Sequence, residues 1–175
     1  MPRIGLSILI SAFCAAAWAQ ARYEPSPIEV VHAMLELARV APADVVYDLG
    51  CGDGRIVIAA ARRYGARGVC VDRDPERIAE SVQNARAAGV AERIRFVTED
   101  LFQVDLQAAT VVALFLTHEL NLELRPKLLR ELKSGARIVS HYHGMGDWLP
   151  EAMRHVEVES GPRTRSIFLW TVPRP

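Results

Sequence analysis

The sequence is poor in cysteine, with three in 175 residues, and it carries no net charge, 21 acidic side chains balancing 21 basic ones. Proteins that bind nucleic acid through its phosphates show a basic excess, so no nucleic-acid partner is expected. No internal repeat, low-complexity tract or linker interrupts the chain. The one long apolar run, residues 4–17, falls short of the roughly 20 residues that a bilayer span requires. Half of the residues are hydrophobic and a quarter charged, a composition able to bury a core without staples.

That apolar run has the layout of a secretory leader. Arg3 precedes it, and Ala17-Trp18-Ala19 supplies a small-x-small cleavage site before Gln20. Residues 1–19 therefore read as a signal peptide, exporting the protein to the periplasm or the medium, or else as an N-terminal anchor. Cys14 follows Phe13, where a lipoprotein signal needs a small residue, so lipidation is not expected. Two cysteines remain beyond the leader, Cys51 in a glycine loop and Cys70 inside a strand. A bridge needs Cα atoms within about 7 Å and converging Cβ vectors. A residue past the end of one strand and one inside the next are expected to miss that geometry and stay free thiols.

Beyond the leader, helix and strand patterns alternate. Ser26-Pro27-Ile28-Glu29 reads as a helix start, with Ser26 as cap and Glu29 completing a capping box. Strands are expected at residues 45–49, 68–71, 93–97, 110–116 and 137–140. Helical spacing occupies 55–64 and 74–89, and is strongest at 126–132 between the last two of those strands. Residues 148–154 read as a short helix, and 156–159 with 166–172 as a terminal hairpin around Gly161-Pro162. Strands joined through helices pair in parallel, and continuous apolar strands are covered on both faces. The expected fold is a doubly wound α/β sandwich, one domain over residues 20–175, with an antiparallel end.

In such sheets ligands bind at the carboxyl ends of the strands. The loop after the first strand holds Asp48-Leu49-Gly50-Cys51-Gly52-Asp53-Gly54. A dinucleotide fingerprint would need glycine where Arg55 stands, and an acidic pair repels pyrophosphate. The pair Asp48 and Asp53 would instead attract a ligand carrying an ammonium and a sulfonium, which describes S-adenosylmethionine. Asp72 ends the second strand, where it can accept ribose hydroxyls. Glu99-Asp100-Leu101 ends the third, beside an adenine position. Asp74 reads as a helix cap. The expected cofactor residues are Asp48, Gly50, Cys51, Gly52, Asp53, Asp72, Asp100 and Leu101. A degenerate nucleotide-binding module without transfer activity and an NAD-dependent oxidoreductase are the alternatives.

The runs VVYDLGCGDGRIVIAAA, GVCVDRDPE, ERIRFVTEDLF and LKSGARIVS resemble the ordered motifs of the seven-stranded class I methyltransferases. With Tyr23-Glu24-Pro25-Ser26-Pro27 and Trp148, the chain is also similar to small bacterial relatives of the mitochondrial lysine methyltransferases that modify an ATP synthase subunit. The resemblance implies a Rossmann-like sandwich with strand order 3-2-1-4-5-7-6 and an antiparallel last strand. It places Asp48, Gly50 and Gly52 at the methionine portion, Asp72 at the ribose and Asp100 near adenine, with the Tyr23 segment covering the cofactor. A protein lysine is the acceptor that it implies, with membrane proteins among the candidate substrates, and the enzyme is expected to be monomeric. Because S-adenosylmethionine is made in the cytoplasm, an anchored form facing the cytoplasm is the alternative to export.

Methyl transfer from a sulfonium needs alignment more than acid-base work. A lysine acceptor must lose its proton, which an apolar channel favours. The expected wall of that channel is Tyr23, Thr117, His118, Glu119, His141, His143 and Trp148, with Asn121 and Tyr142 beside them. His141 and His143 lie two apart, which on a strand puts both on one face. Too few further ligands stand near them and Asp147 for zinc, so no metal is expected, and no catalytic residue is assigned.

Overall fold

The computed structural model describes residues 24–159 and 164–173. The leader and Tyr23 lie outside the described residues. Helix α1 (Ile28–Leu37) is followed by strand β1 (Val45–Leu49), helix α2 (Arg55–Tyr64), β2 (Arg67–Asp72), α3 (Pro75–Ala87) and β3 (Ile94–Thr98). Then come β4 (Val111–Leu114), α4 (His118–Glu131), β5 (Arg137–His141), β6 (Ala152–Glu157) and β7 (Thr164–Thr171). Short β-branched runs make the strands, since such side chains suit a pleated surface buried on both faces. Asp74 caps α3 through Glu76 N–H at 2.8 Å, with Pro75 at the first position, as the sequence indicates.

The strands form one sheet in the order β3-β2-β1-β4-β5-β7-β6. All pairings are parallel except those of β7 with β5 and with β6. Strand order therefore reverses between β1 and β4, and a cleft opens there at the carboxyl ends. Helices α1, α2 and α3 cover one face, and one apolar core joins Val30, Met34 and Leu35 to Val46, Val139 and Ile167. On the opposite face Leu124 and Leu128 of α4 pack with Leu49, Leu114, Ile138 and Trp170.

Three local expectations fail, each for a physical reason. Pro27, not Ser26, is the residue capping α1, and no side chain caps it. The Ser26 hydroxyl is used instead for a tertiary hydrogen bond. Residues 148–154 form no helix. Trp148 bridges back to Met145, and Ala152 already belongs to edge strand β6, whose pairing with β7 outweighs local helical spacing. Cys51 and Cys70 are joined in a disulfide, with Cα atoms 5.3 Å apart. The loop does not run on past β1. It folds back, Gly50 and Cys51 N–H both donating to the carbonyl of Val71 at 2.8 and 3.0 Å, and so lays Cys51 against β2.

Candidate functional site

The glycine loop starts with a left-handed Gly50 (φ +82), and a Cβ there would lie 3.2 Å from the Leu116 side chain. Gly54 caps α2 at φ +79, where a Cβ would press within 2.9 Å of that of Ser81. Both positions need glycine for conformation and for space. Gly52 N–H donates to the Asp72 carboxylate at 3.0 Å, so the ends of β1 and β2 are tied by a charge-assisted bond as well as by the bridge.

Asp48 is 2% exposed and lies on the face of β1 that Val46 also uses. Burial pushes its carboxyl up to about 8, and the charges of Asp53 and Asp72 add to the shift. Asp48 thus belongs to the core margin of the site rather than to an open strand end, and at neutral pH it holds its proton until a cation arrives. Asp53 is paired with Arg55 through both carboxylate oxygens, at 2.9 and 2.5 Å. Of the acidic pair read from the sequence, Asp53 is thus neutralised by Arg55, which leaves Asp48 to ionise against an incoming cation. Arg55 also donates to the carbonyl of Ser26 at 2.7 Å, fastening the segment before α1 across the loop.

Two adjoining cavities occupy the reversal point. The smaller, about 260 Å³, lies between residues 24–26 and the loop, and Asp48, Cys51, Asp53, Phe115 and His143 reach it. The larger, about 830 Å³, is bounded by Asp72, Asp100, Leu101 and Phe102. Gly50, Leu116, Thr117 and Leu120 line both, so the two form one cleft. Of the expected cofactor residues, all but Gly52 line this cleft, and Gly52 supports it through Asp72.

The expected acceptor wall divides. Thr117, the N-cap of α4 through Leu120 N–H at 3.3 Å, lines both cavities, and Glu119 lines the larger. His118 stands 6.3 Å from His143, ring to ring. Trp148 turns away, packing on Trp170 under Arg125. His141 and His143 do not share a face. His141 is buried, its Nδ1 2.8 Å from the Ser26 hydroxyl and its ring 4.1 Å from Phe115, while Nε2 has no partner. Burial, with Arg165 and His143 nearby, depresses its pKa to about 4, so the ring stays neutral at pH 7.

The two histidines part because β5 ends at His141 and the chain then turns about Tyr142. His143 N–H donates to the carbonyl of His141 at 3.0 Å, closing a γ-turn whose centre, Tyr142, has φ +74. The positive-φ form of this turn is rare and strained, costing about 1–3 kcal/mol for a bulky residue. Ser140 donates to the His143 carbonyl at 2.7 Å, as does buried Asn121 at 3.1 Å, so the turn is held from α4 and β5 together. Burial lowers the pKa of His143, and His118 lowers it further. Sequence reading passed over Ser26, Phe115, Leu116 and Leu120 as cleft residues. Phe115 and Leu116 follow from the topology, since the residues just past the end of β4 must face the reversal point.

The strand order agrees with that of solved methyltransferases. The family model described as the ANTKMT methyltransferase domain matches residues 48–152. The chain belongs to this family. It is an S-adenosylmethionine-dependent methyltransferase. A protein-lysine N-methyltransferase of Saccharolobus islandicus is 42% identical over 86% of this chain and 92% of its own length. A lysine N-methyltransferase of Xenopus laevis, named for an ATP synthase subunit, is 32% identical over 74% of this chain, which spans only 56% of that relative. Among solved structures, one described as an RNA methyltransferase from Salinibacter ruber, in complex with S-adenosylhomocysteine, superposes with a TM-score of 0.80. It is 46% identical, over 87% of this chain and 95% of its own.

Proposed function

We propose that this methyltransferase modifies the side-chain amine of a protein lysine. The observation that carries the reading is the 42% identity to the archaeal protein-lysine methyltransferase over nearly its whole length. The site is chemically suited to it. The smaller cavity joins the larger at Gly50 and Leu116, and is walled by Phe115 and half-buried His143. Such a wall desolvates an incoming ammonium and lowers its pKa toward the neutral, nucleophilic form.

The residues fit the cofactor. Asp48 would accept its ammonium, the Asp72 carboxylate its ribose hydroxyls, and Leu101 and Phe102 would flank the adenine beside Asp100. Bound there, S-adenosylmethionine supplies a methyl group already activated on sulfur. The chain's own work is then to align the acceptor, exclude water and hold Asp48 as the counter-charge.

An RNA acceptor is the second reading, favoured by the description of the Salinibacter ruber structure and opposed by the balance of 21 acidic against 21 basic side chains. Incubating the full chain with methyl-labelled S-adenosylmethionine, a soluble protein extract and total RNA separates the two. Label recovered as Nε-methyl-lysine after acid hydrolysis is the expected result, and label confined to ribonuclease-sensitive material overturns the lysine reading. For location, the leader-like start and the Cys51–Cys70 bridge together favour an oxidising compartment outside the cytoplasm.

A further inference from the structure

Two non-glycine residues among those described have positive φ, Arg39 at +50 and Tyr142 at +74. Arg39 has a local reason. It follows α1, its N–H and that of Val40 donating back to the carbonyls of Glu36 and Leu35, so its conformation closes the helix end. Tyr142 follows a strand and caps nothing. Its ring does not offset the strain by burial, since the residue is 55% exposed. A glycine would make the same turn without strain, so the folded state alone gives no reason for a tyrosine.

The ring's position supplies one. It stands edge-on to His143, centroids 4.9 Å apart, and His143 lines the smaller cavity. The turn is pinned on its other side as well, Tyr142 N–H donating to the carbonyl of Ser166 in β7 at 2.8 Å. An exposed aromatic ring on a pinned backbone thus stands beside the imidazole that borders the candidate acceptor cavity. Aromatic faces attract ammonium groups and pack against aliphatic stems.

We propose that Tyr142 is a specificity-determining residue, whose ring receives the lysine ammonium at the cavity mouth before the amine loses its proton. The assignment rests on the lysine reading and adds a residue to it. Strain at this turn is the cost of presenting a ring where glycine would present none.

The test uses the full chain, labelled S-adenosylmethionine and poly-L-lysine as acceptor, with bulk transfer RNA in parallel. Tyr142→Gly is expected to raise KM for poly-L-lysine about two- to fivefold. Its kcat, affinity for S-adenosylhomocysteine and melting temperature should hold at or above wild type. Tyr142→Phe, which keeps the ring, should keep the KM. A wild-type KM in Tyr142→Gly overturns the assignment, as does equal impairment in Tyr142→Phe, which would point to the hydroxyl. A Tyr142→Gly variant that melts lower and binds S-adenosylhomocysteine more weakly would make the residue structural. Wild-type transfer to transfer RNA but not to poly-L-lysine would remove the lysine reading itself, and this assignment with it.

Discussion

Asp48 is the residue on which the candidate cofactor end depends, and its chemistry is set by burial. In the unfolded chain an aspartate ionises near pH 3.8, whereas the buried one holds its proton to about pH 8. The native state therefore binds more protons between those values, and the ligand-free protein loses stability as pH rises from about 4 to about 8. Asp48→Asn cannot ionise. It is expected to melt several degrees above wild type at pH 8.5 and to converge with it near pH 4, as read by thermal scans without ligand. The same change should weaken S-adenosylhomocysteine binding by about ten- to a hundredfold, the worth of one charge-assisted hydrogen bond. Equal affinity in the two proteins would remove Asp48 from the site. At this scale the sequence was informative about residue type and silent about state. Asp48 and Asp53 look equivalent in the chain, yet one is buried and the other is neutralised by Arg55 two residues on.

Elements were legible where one periodicity acted alone. Helices α2 and α3 and strands β1 and β2 follow from alanine-rich spacing, a capping aspartate and β-branched runs. Failures gather where backbone departs from its period. The two-residue spacing of His141 and His143 puts both on one face only if strand continues past residue 140, and only the hydrogen bond across Tyr142 reveals the turn that sends them apart. The Cys51–Cys70 bridge escaped for a similar reason, because its geometry arises from a loop doubling back and not from either strand. That bridge spans a sequence separation of 19 residues, containing all of α2. Closing a loop of this size in the unfolded chain contributes about 3 kcal/mol. A disulfide reductant is accordingly expected to lower the melting temperature by roughly 6–12 °C. An unchanged melting curve, with both thiols shown by alkylation to be free, would place the stability of the loop elsewhere.

For the molecule as a whole, the alternation of strands and helices indicated the sandwich, and resemblance to the methyltransferases supplied the strand order that spacing could not. The acceptor was least legible, since its candidate cavity is walled by a turn and by a segment far apart in sequence. Location has a direct check. Intact-mass analysis of the native protein is expected to find Gln20 as the first residue, with Cys51 and Cys70 linked in a non-reduced digest. An intact leader with Cys51 and Cys70 both free would reverse the export proposal and favour the anchored form facing the cytoplasm.

The two ends of the fold also differ in what can be attached to them. Glu24 borders the smaller cavity, so the described chain begins beside the cleft. Thr171 pairs with Arg137 at the start of β5, so the last described residues lie at the opposite end of the strands from the cleft. A fusion partner or surface coupled at the front would therefore crowd the acceptor's approach, whereas one coupled at the back leaves it open. By the same geometry, a chain tethered by its beginning would carry its cleft close to the tethering surface.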